Sequence, residues 1–150
     1  MQKRILLYSN EEDEKILEQK SLPVEDIHSE EVQQLIQDLK DTLHNQPNGA
    51  HGLSASQIGV LLQVCICSWA DEEVILINPT ITRSRGNTEY MEGCLSVPGV
   101  YKKIARAQKV WCSYLNEQGE TCEIAEGGRM SNIIQHEMDH MQGICKVHEG

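Results

Sequence analysis

The sequence predicts an α+β fold, in which short antiparallel strands pack around a C-terminal helix and an amphipathic helix precedes them near the N-terminus. Three observations support this prediction. Apolar residues recur at helical spacing over residues 32–43, and short apolar runs bounded by turn residues follow between residues 61 and 124. Residues 136–140, which read HExxH, then fall in a last helical segment. With 150 residues, the chain has the length of one domain, residues 1–150.

The first third of the chain contains the predicted amphipathic helix. A short apolar run at residues 5–8 precedes residues 11–19, which are too charged to belong to the core. Ser29 is a good N-cap, and the acidic residues after it suit the first turn of a helix. The turn-forming residues 45–49 should end this helix. Its apolar positions form one stripe: Val32, Leu35, Ile36, Leu39 and Leu43.

The middle of the chain is rich in strand patterns. Pro79 should close one strand, and residues 81–83 should extend the sheet beyond it. Residues 116–119 are typical of a hairpin turn between two alternating segments. Strands are therefore predicted for four segments: residues 61–67, 74–79, 109–114 and 121–124.

The last helix carries the HExxH pattern. It should begin near Arg129 or Ser131 and end at Gly143. Residues four apart lie on one helix face, so His136 and His140 can bind one metal ion. The carboxylate between them can reach a water molecule beside that ion, an arrangement that suits a metallohydrolase. Because the pattern is short, two surface histidines on an acidic helix are the alternative interpretation.

Composition and charge limit the possible function classes. The hydrophobic content is 39% without any Phe, so Ile, Leu, Val and Met must form the core. The formal net charge of -10 argues against a nucleic-acid-binding patch, and neither a polybasic patch nor a membrane-spanning run is present. Because no secretory signal is visible, we expect a cytoplasmic protein whose six cysteines are reduced.

A catalytic metal site needs a third protein ligand besides the two histidines. Downstream of HExxH, His148 and Glu149 are candidates close to the end of the sequence. Upstream, Cys94 follows a glycine that permits a tight backbone, and a thiolate is a strong ligand for zinc or ferrous iron. The residue chemistry alone leaves these candidates open.

Three segments together resemble the motifs of the peptide deformylase family. Residues 92–96 match its EGCLS motif, and residues 135–140 match its QHExDH motif. Residues 50–57 resemble its GxGLAAxQ motif less completely. The motifs occur in the family's order and spacing, and the resemblance covers about residues 45–145.

This resemblance implies a reaction and a site. The reaction removes the formyl group from formylmethionine at the N-terminus of nascent polypeptides and releases formate. The implied metal ligands are Cys94, His136 and His140. Glu137 would take a proton from water and return it to the leaving amine, while the Gln57 amide and the Leu95 backbone N–H would stabilise the oxyanion. The implied substrate-binding residues are Gly52, Leu53, Gly93, Ile133 and His136.

The resemblance also implies a cofactor and a cellular setting. One divalent metal ion is expected, Fe(2+) in the cell, and Zn(2+), Ni(2+) or Co(2+) could occupy the same Cys-His-His site in purified protein. The expected partners are formylated nascent peptides at the ribosome. We further expect a monomer in the bacterial cytoplasm, or in the host cytoplasm if a phage encodes it, of a short form without a long C-terminal extension.

Four positions depart from the family's pattern. Ala50 and Ser54 replace a Gly and an Ala of the first motif. Arg129 and Asn132 fall on the metal-facing side of the last helix, where the family's side-chain pocket is usually apolar. If Arg129 already belongs to the helix, its stem can line the pocket while its charged head reaches outward. The substrate preference of this chain could then differ.

Three other functions fit parts of the sequence. A thermolysin-like peptidase would cut internal peptide bonds and use a ligand downstream of HExxH. A non-catalytic relative would bind peptide or metal without turnover, but the complete set of Gln57, Glu137 and Cys94 argues against it. A structural zinc site would favour a fourth protein ligand, for which the sequence offers no obvious candidate.

Overall fold

The computed structural model describes residues 1–47 and 49–149, so Asn48 of the predicted turn and Gly150 of the predicted domain lie outside the described residues. The described part confirms the α+β fold class, with a helix bearing HExxH at the C-terminal side. Its α-helices are α1 (Glu11–Leu17), α2 (Glu30–His44) and α3 (Gly128–Met141). Its strands are β1 (Gly52–Ser54), β2 (Val64–Trp69), β3 (Glu72–Arg85), β4 (Thr88–Cys94), β5 (Val97–Arg106), β6 (Lys109–Leu115) and β7 (Thr121–Gly127).

The strands form two antiparallel sheets. Five of them are ordered β1-β2-β3-β6-β7, while β4 and β5 form a separate hairpin. Successive residues of a strand point to opposite faces, and both faces of β2 are buried. Val64 and Ile66 pack in the cluster that contains α2, whereas Cys65 and Cys67 pack in the cluster that contains α3. The two long helices therefore cover opposite faces of the five-stranded sheet.

The helix α2 begins and packs as predicted. The Ser29 side chain accepts a hydrogen bond from the Val32 N–H at 3.2 Å, which satisfies a free donor of the first turn. All five predicted apolar positions are buried in one cluster with strands β1, β2 and β3. Within the described residues, none of the helices is long and apolar enough to cross a membrane.

The prediction that residues 11–19 stay out of the core was wrong. Most of them form α1, Glu11–Leu17, in which Asp13 and Leu17 are buried. The Asn10 side chain accepts hydrogen bonds from two backbone N–H groups and caps the helix. Arg4 donates two hydrogen bonds, of 2.7 and 2.8 Å, to the Asp13 carboxylate. This pairing offsets the cost of burying that charge, which the local composition did not reveal.

Pro79 does not close its strand, contrary to prediction. The strand β3 continues through it to Arg85, so the predicted extension at residues 81–83 is confirmed. Asn78 has a φ of 50°, and the register with β6 shifts between Ile77 and Thr80. Proline has no N–H group to donate to a neighbouring strand. The register shift leaves Pro79 out of the regular hydrogen bonding with β6, so the strand can continue through it. The final helix begins at Gly128, one residue before the first predicted start.

Candidate metal centre and active site

Three potential metal ligands converge between the β4–β5 hairpin and α3. Cys94 is the last residue of β4, and His136 and His140 lie four apart in α3. One ligand atom from each lies within 4.8 Å of the other two. The Cys94 Sγ atom is 3.3 Å from Nε2 of His140. Both histidines are buried, so the interpretation as two surface histidines is wrong.

The downstream candidates for a third ligand lie elsewhere. The His148 ring stacks on Tyr8 with 4.1 Å between centroids, and its Nε2 lies 3.6 Å from a carboxylate oxygen of Glu14. The Glu149 backbone carbonyl accepts a hydrogen bond from Lys102. In the part of the chain that the structure describes, only the upstream thiol joins the two histidines.

Glu92 fixes the orientation of His136. The Nδ1 atom of His136 lies 2.8 Å from Oε1 of Glu92, which leaves Nε2 free to face the other ligands. Arg106 donates to both oxygens of Glu92, at 2.8 and 2.9 Å, and a third donor of Arg106 is 2.6 Å from Asp139. Asn132 also donates to Glu92. A buried network thus connects β4, β5 and α3 behind the metal-facing side of His136.

The network keeps Glu92 ionised. Burial raises the pKa of Glu92, but the hydrogen bonds from Arg106 and His136 outweigh it and lower that pKa to about 2. Burial also lowers the pKa of His136, yet the hydrogen bond to Glu92 more than compensates. The pKa of Arg106 is raised because its hydrogen bonds to Glu92 and Asp139 exceed the effect of burial.

The stability that Glu92 contributes should be lost in acid. The pKa of Glu92 is lower in the folded protein than in the unfolded protein, so its ionised carboxylate stabilises the fold fully above pH 4.5, the unfolded pKa. This stabilisation is lost as the pH falls through about 2, the folded pKa. We expect Glu92→Gln to reduce the free energy of unfolding by roughly 2–3 kcal/mol at pH 6. Urea unfolding of the metal-free proteins should show that this difference shrinks between pH 4.5 and 2. A difference independent of pH would contradict the ionic role of Glu92.

The three clustered side chains fit a divalent metal ion. Two imidazoles and a thiol form a donor set that binds zinc or ferrous iron. Burial lowers the pKa of His140, which favours the neutral imidazole that can bind a cation. Its buried Nδ1 has no hydrogen-bond partner among the described residues. The adjacent Cys145 thiol and burial raise the pKa of Cys94, so a cation beside Sγ would be needed to hold a thiolate.

Glu137 points a buried carboxylate into the same site. Its Oε1 lies 3.1 Å from the Ser54 hydroxyl, which is also 2.8 Å from the Glu137 backbone carbonyl and can donate to either oxygen. A Cβ added to Gly52 would overlap Oε2 of Glu137 and lie 2.9 Å from its Cδ. Burial raises the pKa of Glu137 to about 7. Near neutral pH, this group can both accept and return a proton.

The Gln57 side chain is held with its amide nitrogen toward Cys94. Its Oε1 accepts a hydrogen bond from the Ser54 N–H at 3.0 Å. Its Nε2 lies 3.1 Å from the Ser96 hydroxyl and 3.6 Å from the Cys94 Sγ. Leu95 lies in the two-residue turn between β4 and β5, immediately after Cys94. The structure therefore brings the Gln57 amide beside Cys94, and Leu95 is the next residue of the turn.

A cavity of about 850 Å³ opens over these groups. Large exposed side chains surround its mouth: Trp69, Met91, Val100 and Tyr101. Of the predicted substrate-binding residues, Gly52, Gly93, Ile133 and His136 line the cavity. The Leu53 side chain does not, because it is fully buried in the cluster that contains α2. The residue as a whole has no exposed surface, so the structure gives Leu53 no contact with the cavity.

The sequence did not reveal the functions of Glu92, Arg106 and Asn132. The first two occur in segments that match or flank a motif, yet nothing local indicates that they form one buried ion pair. The usable signal was chemical: a histidine that binds a metal through one nitrogen needs an acceptor for the other. Arg129 belongs to α3 and lines the cavity, as its predicted position implied.

Comparison with known proteins establishes the family. A sequence model described as polypeptide deformylase matches residues 3–149. The chain belongs to the peptide deformylase family. Peptide deformylase 2 of Clostridium acetobutylicum is 39% identical over 132 residues, which cover 88% of this chain and 87% of that protein. The peptide deformylase of Aquifex aeolicus is 39% identical over 153 residues, covering 98% of this chain and 86% of that protein.

Solved structures of the family have the same fold. A peptide deformylase from Legionella pneumophila superposes with a TM-score of 0.87 at 37% identity, covering 97% of this chain and 83% of that one. A class I type b peptide deformylase from Acinetobacter baumannii gives a TM-score of 0.90 at 30% identity, covering 98% of both chains. The chain is therefore a metal-dependent hydrolase that removes the N-formyl group from formylmethionine of nascent polypeptides and releases formate.

Proposed function

We propose that Cys94, His136 and His140 hold one divalent metal ion, at which this peptide deformylase cleaves the formyl amide. The observation that supports this most directly is the convergence of these three donors within 4.8 Å. The buried carboxylate of Glu137 and the amide of Gln57 lie beside them. When bound, the ion lowers the pKa of a water ligand and so makes hydroxide available near neutral pH.

We further propose that the resident metal is Fe(2+). The thiolate and imidazole donors suit it, although Zn(2+), Ni(2+) or Co(2+) would fit the same donors in purified protein. Cellular supply, rather than the intrinsic order of affinities, decides between such ions. Ferrous iron beside a thiolate would also make Cys94 the position most sensitive to oxidation. Metal analysis of protein purified without oxygen tests this assignment.

Glu137 is the proposed proton carrier. Its buried carboxylate accepts a proton from the attacking water and later delivers it to the amine of the departing peptide. The close approach of Gly52 and the hydroxyl of Ser54 hold this carboxylate in one place. A pKa near neutrality suits a group that must perform both transfers.

Gln57 and Leu95 are the proposed oxyanion donors. The Gln57 amide is already oriented by its contacts with Ser54 and Ser96, so it loses little freedom when charge develops on the formyl oxygen. The backbone N–H of Leu95 would supply the second donor from the turn after Cys94. Such preorganised donors act on the charge that forms in the transition state.

The peptide substrate is proposed to bind as an added strand. The strand β1 is at one end of the five-stranded sheet, and β4 pairs only with β5 among the described strands. Gly52 of β1 and Gly93 of β4 both line the cavity, so a peptide there could form hydrogen bonds with the backbone of each strand. Ile133 and His136, which line the cavity, would contact its first side chain.

The cellular setting is likewise a proposal. We infer one domain over residues 1–150 that acts as a monomer in the cytoplasm of a bacterium, or of its host if a phage encodes it. The enzyme would bind formylated nascent chains as they emerge from the ribosome. Size-exclusion chromatography with light scattering tests the oligomeric state, and sedimentation with ribosomes tests the encounter.

Formate release from formyl-Met-Ala-Ser tests the proposed metal chemistry. Anaerobic protein loaded with ferrous iron should release formate, and a chelator should abolish the release as it removes one metal per chain. Adding ferrous iron back should restore activity, because the site retains its three ligands. Activity that survives complete metal removal would contradict the proposal.

Gly52→Ala should impair catalysis by displacing Glu137. The new Cβ would overlap the carboxylate, and a misplacement of about 1 Å can cost roughly 10²-fold in rate. Steady-state formate release measures this effect. Gly127→Ala is a matched control, since the nearest atoms to its added Cβ are 3.6 Å away. Equal activity of the two variants would show that the approach of Gly52 to Glu137 is unimportant.

A further inference from the structure

Arg129 presents unused hydrogen-bond donors in the wall of the cavity. Its Nη1 donates to the Met91 carbonyl at 3.2 Å and to the Asn132 side chain at 3.3 Å. A guanidinium has five N–H donors arranged along a planar fork. No contact of the Nε or Nη2 donors with an acceptor is seen in the described residues. One edge of this guanidinium is therefore available to a ligand.

Aromatic rings hold the guanidinium in position. Its Cζ lies 4.6 Å from the ring centroid of Tyr90 and 6.0 Å from that of Trp69. Such stacking restrains the side chain without using its N–H groups. Because Arg129 is half-buried and stacked, a ligand would lose little free energy in ordering it.

Arg129 differs from the other cations that line the cavity. Arg4 is paired with Asp13 by two hydrogen bonds, and Lys3 lies 3.9 Å from a carboxylate oxygen of Asp38. Within residues 1–47 and 49–149, no such carboxylate partner is found for Arg129. Its positive charge is thus balanced neither by an acid nor by full exposure to water.

We propose that Arg129 binds a carboxylate of the peptide substrate, so that the enzyme prefers formylated peptides with an acidic residue shortly after the formylmethionine. This inference rests on the proposed function, because it places a peptide in the same cavity. A carboxylate matches the planar fork of a guanidinium with two parallel hydrogen bonds. An amide or hydroxyl would leave part of the charge unmatched.

The distance along α3 indicates where the acidic residue belongs. Arg129 precedes His136 by seven residues, which is about 10 Å along a helix. For a peptide that runs from His136 toward Arg129, an extended rise of about 3.3 Å per residue makes this span correspond to about three residues. The carboxylate is therefore expected on the second or third residue of the substrate, or at the C-terminus of a peptide of that length.

The overall negative charge of the protein means that a preference for acidic peptides would point to a local positive charge. With a formal net charge of -10, the protein as a whole attracts cationic peptides and repels anionic ones. A preference for an acidic peptide must then arise from a local cation. Arg129 is the residue that the geometry offers for that role.

The test compares peptides that differ only in charge. Formate release is measured for formyl-Met-Ala-Glu-amide, formyl-Met-Ala-Gln-amide, formyl-Met-Ala-Lys-amide and the matching peptides with the variable residue second. The free acid formyl-Met-Ala-Ala and its amide separate a C-terminal carboxylate from a side-chain one. We expect kcat/KM for Glu to exceed that for Gln by about tenfold, through KM.

Variants of Arg129 identify the source of the preference. Arg129→Gln should bring the Glu-to-Gln ratio to about one, and Arg129→Glu should favour the Lys peptide. Arg83→Gln is a matched control, because Arg83 also stacks on an indole, that of Trp111, at 4.5 Å but does not line the cavity. It should keep the ratio of the unaltered enzyme.

The outcomes separate this inference from the proposed function. Equal kcat/KM for the Glu and Gln peptides in the unaltered enzyme would overturn the carboxylate site while leaving deformylation intact. The same holds if the preference survives in Arg129→Gln or disappears in Arg83→Gln. Absence of formate from every peptide would instead contradict the proposed function itself.

Discussion

Replacing Glu137 with glutamine is expected to lower kcat for formate release by roughly 10²–10⁴-fold, the range for loss of a general acid–base group. The amide has nearly the shape of the carboxylate but cannot accept the proton of the attacking water. Because Glu137 is not a proposed ligand, the metal content should not change. Stopped-time formate assays and metal analysis on the same preparation measure both quantities.

Glu123→Gln is a suitable control for this prediction. Glu123 is an exposed carboxylate on β7, outside the cavity, and its neutralisation should leave kcat unchanged. A Glu137→Gln variant that kept the full rate would exclude the carboxylate as proton carrier. Loss of metal from that variant would instead assign Glu137 to binding of the ion.

Replacing Cys94 with serine should remove the metal and with it essentially all activity. A serine hydroxyl is a much poorer ligand than a thiolate for zinc or ferrous iron, and two histidines alone do not make a stable site. We expect less than about one hundredth of the activity after dialysis, consistent with the catalytic contribution of such an ion. Metal stoichiometry by elemental analysis is the primary measurement.

Two further variants control this experiment. Cys122→Ser changes another partly buried thiol, away from the cluster, and should keep one metal per chain. His148→Ala removes a downstream candidate that stacks on Tyr8 instead of joining the histidines. Metal loss in His148→Ala but not in Cys94→Ser would favour the peptidase-type ligand set.

The sequence was sufficient for the parts of the site that lie on one element or in one motif. Helical spacing placed His136 and His140 on the same face, and a resemblance covering three motifs brought Cys94 and Gln57 to them. The capped helix α2 was likewise predictable, because Ser29 and the apolar stripe act within fifteen residues. Such features depend on interactions between neighbours in the chain.

Features that depend on distant partners were missed. The charged composition of residues 11–19 indicates an exposed segment, yet Asp13 is buried. Its burial depends on the hydrogen bonds that it accepts from Arg4, nine residues earlier. Glu92 and Arg106 are fourteen residues apart on paired strands, and their contact with His136 requires α3 to dock on the hairpin. Leu53 adjoins a motif, but the alternation of β1 directs its side chain into the core.

The open edges of β1 and β4 bear on how many different proteins one such enzyme can process. Hydrogen bonds to an added strand involve peptide groups, which are the same at every position of every nascent chain. Affinity obtained in this way does not depend on the identity of the residues that follow. Side-chain contacts, such as one at Arg129, would then change kcat/KM from one peptide to another, while every formylated peptide could still be cleaved. Such an enzyme would deformylate all newly made proteins, but at rates that depend on the first few residues of each one.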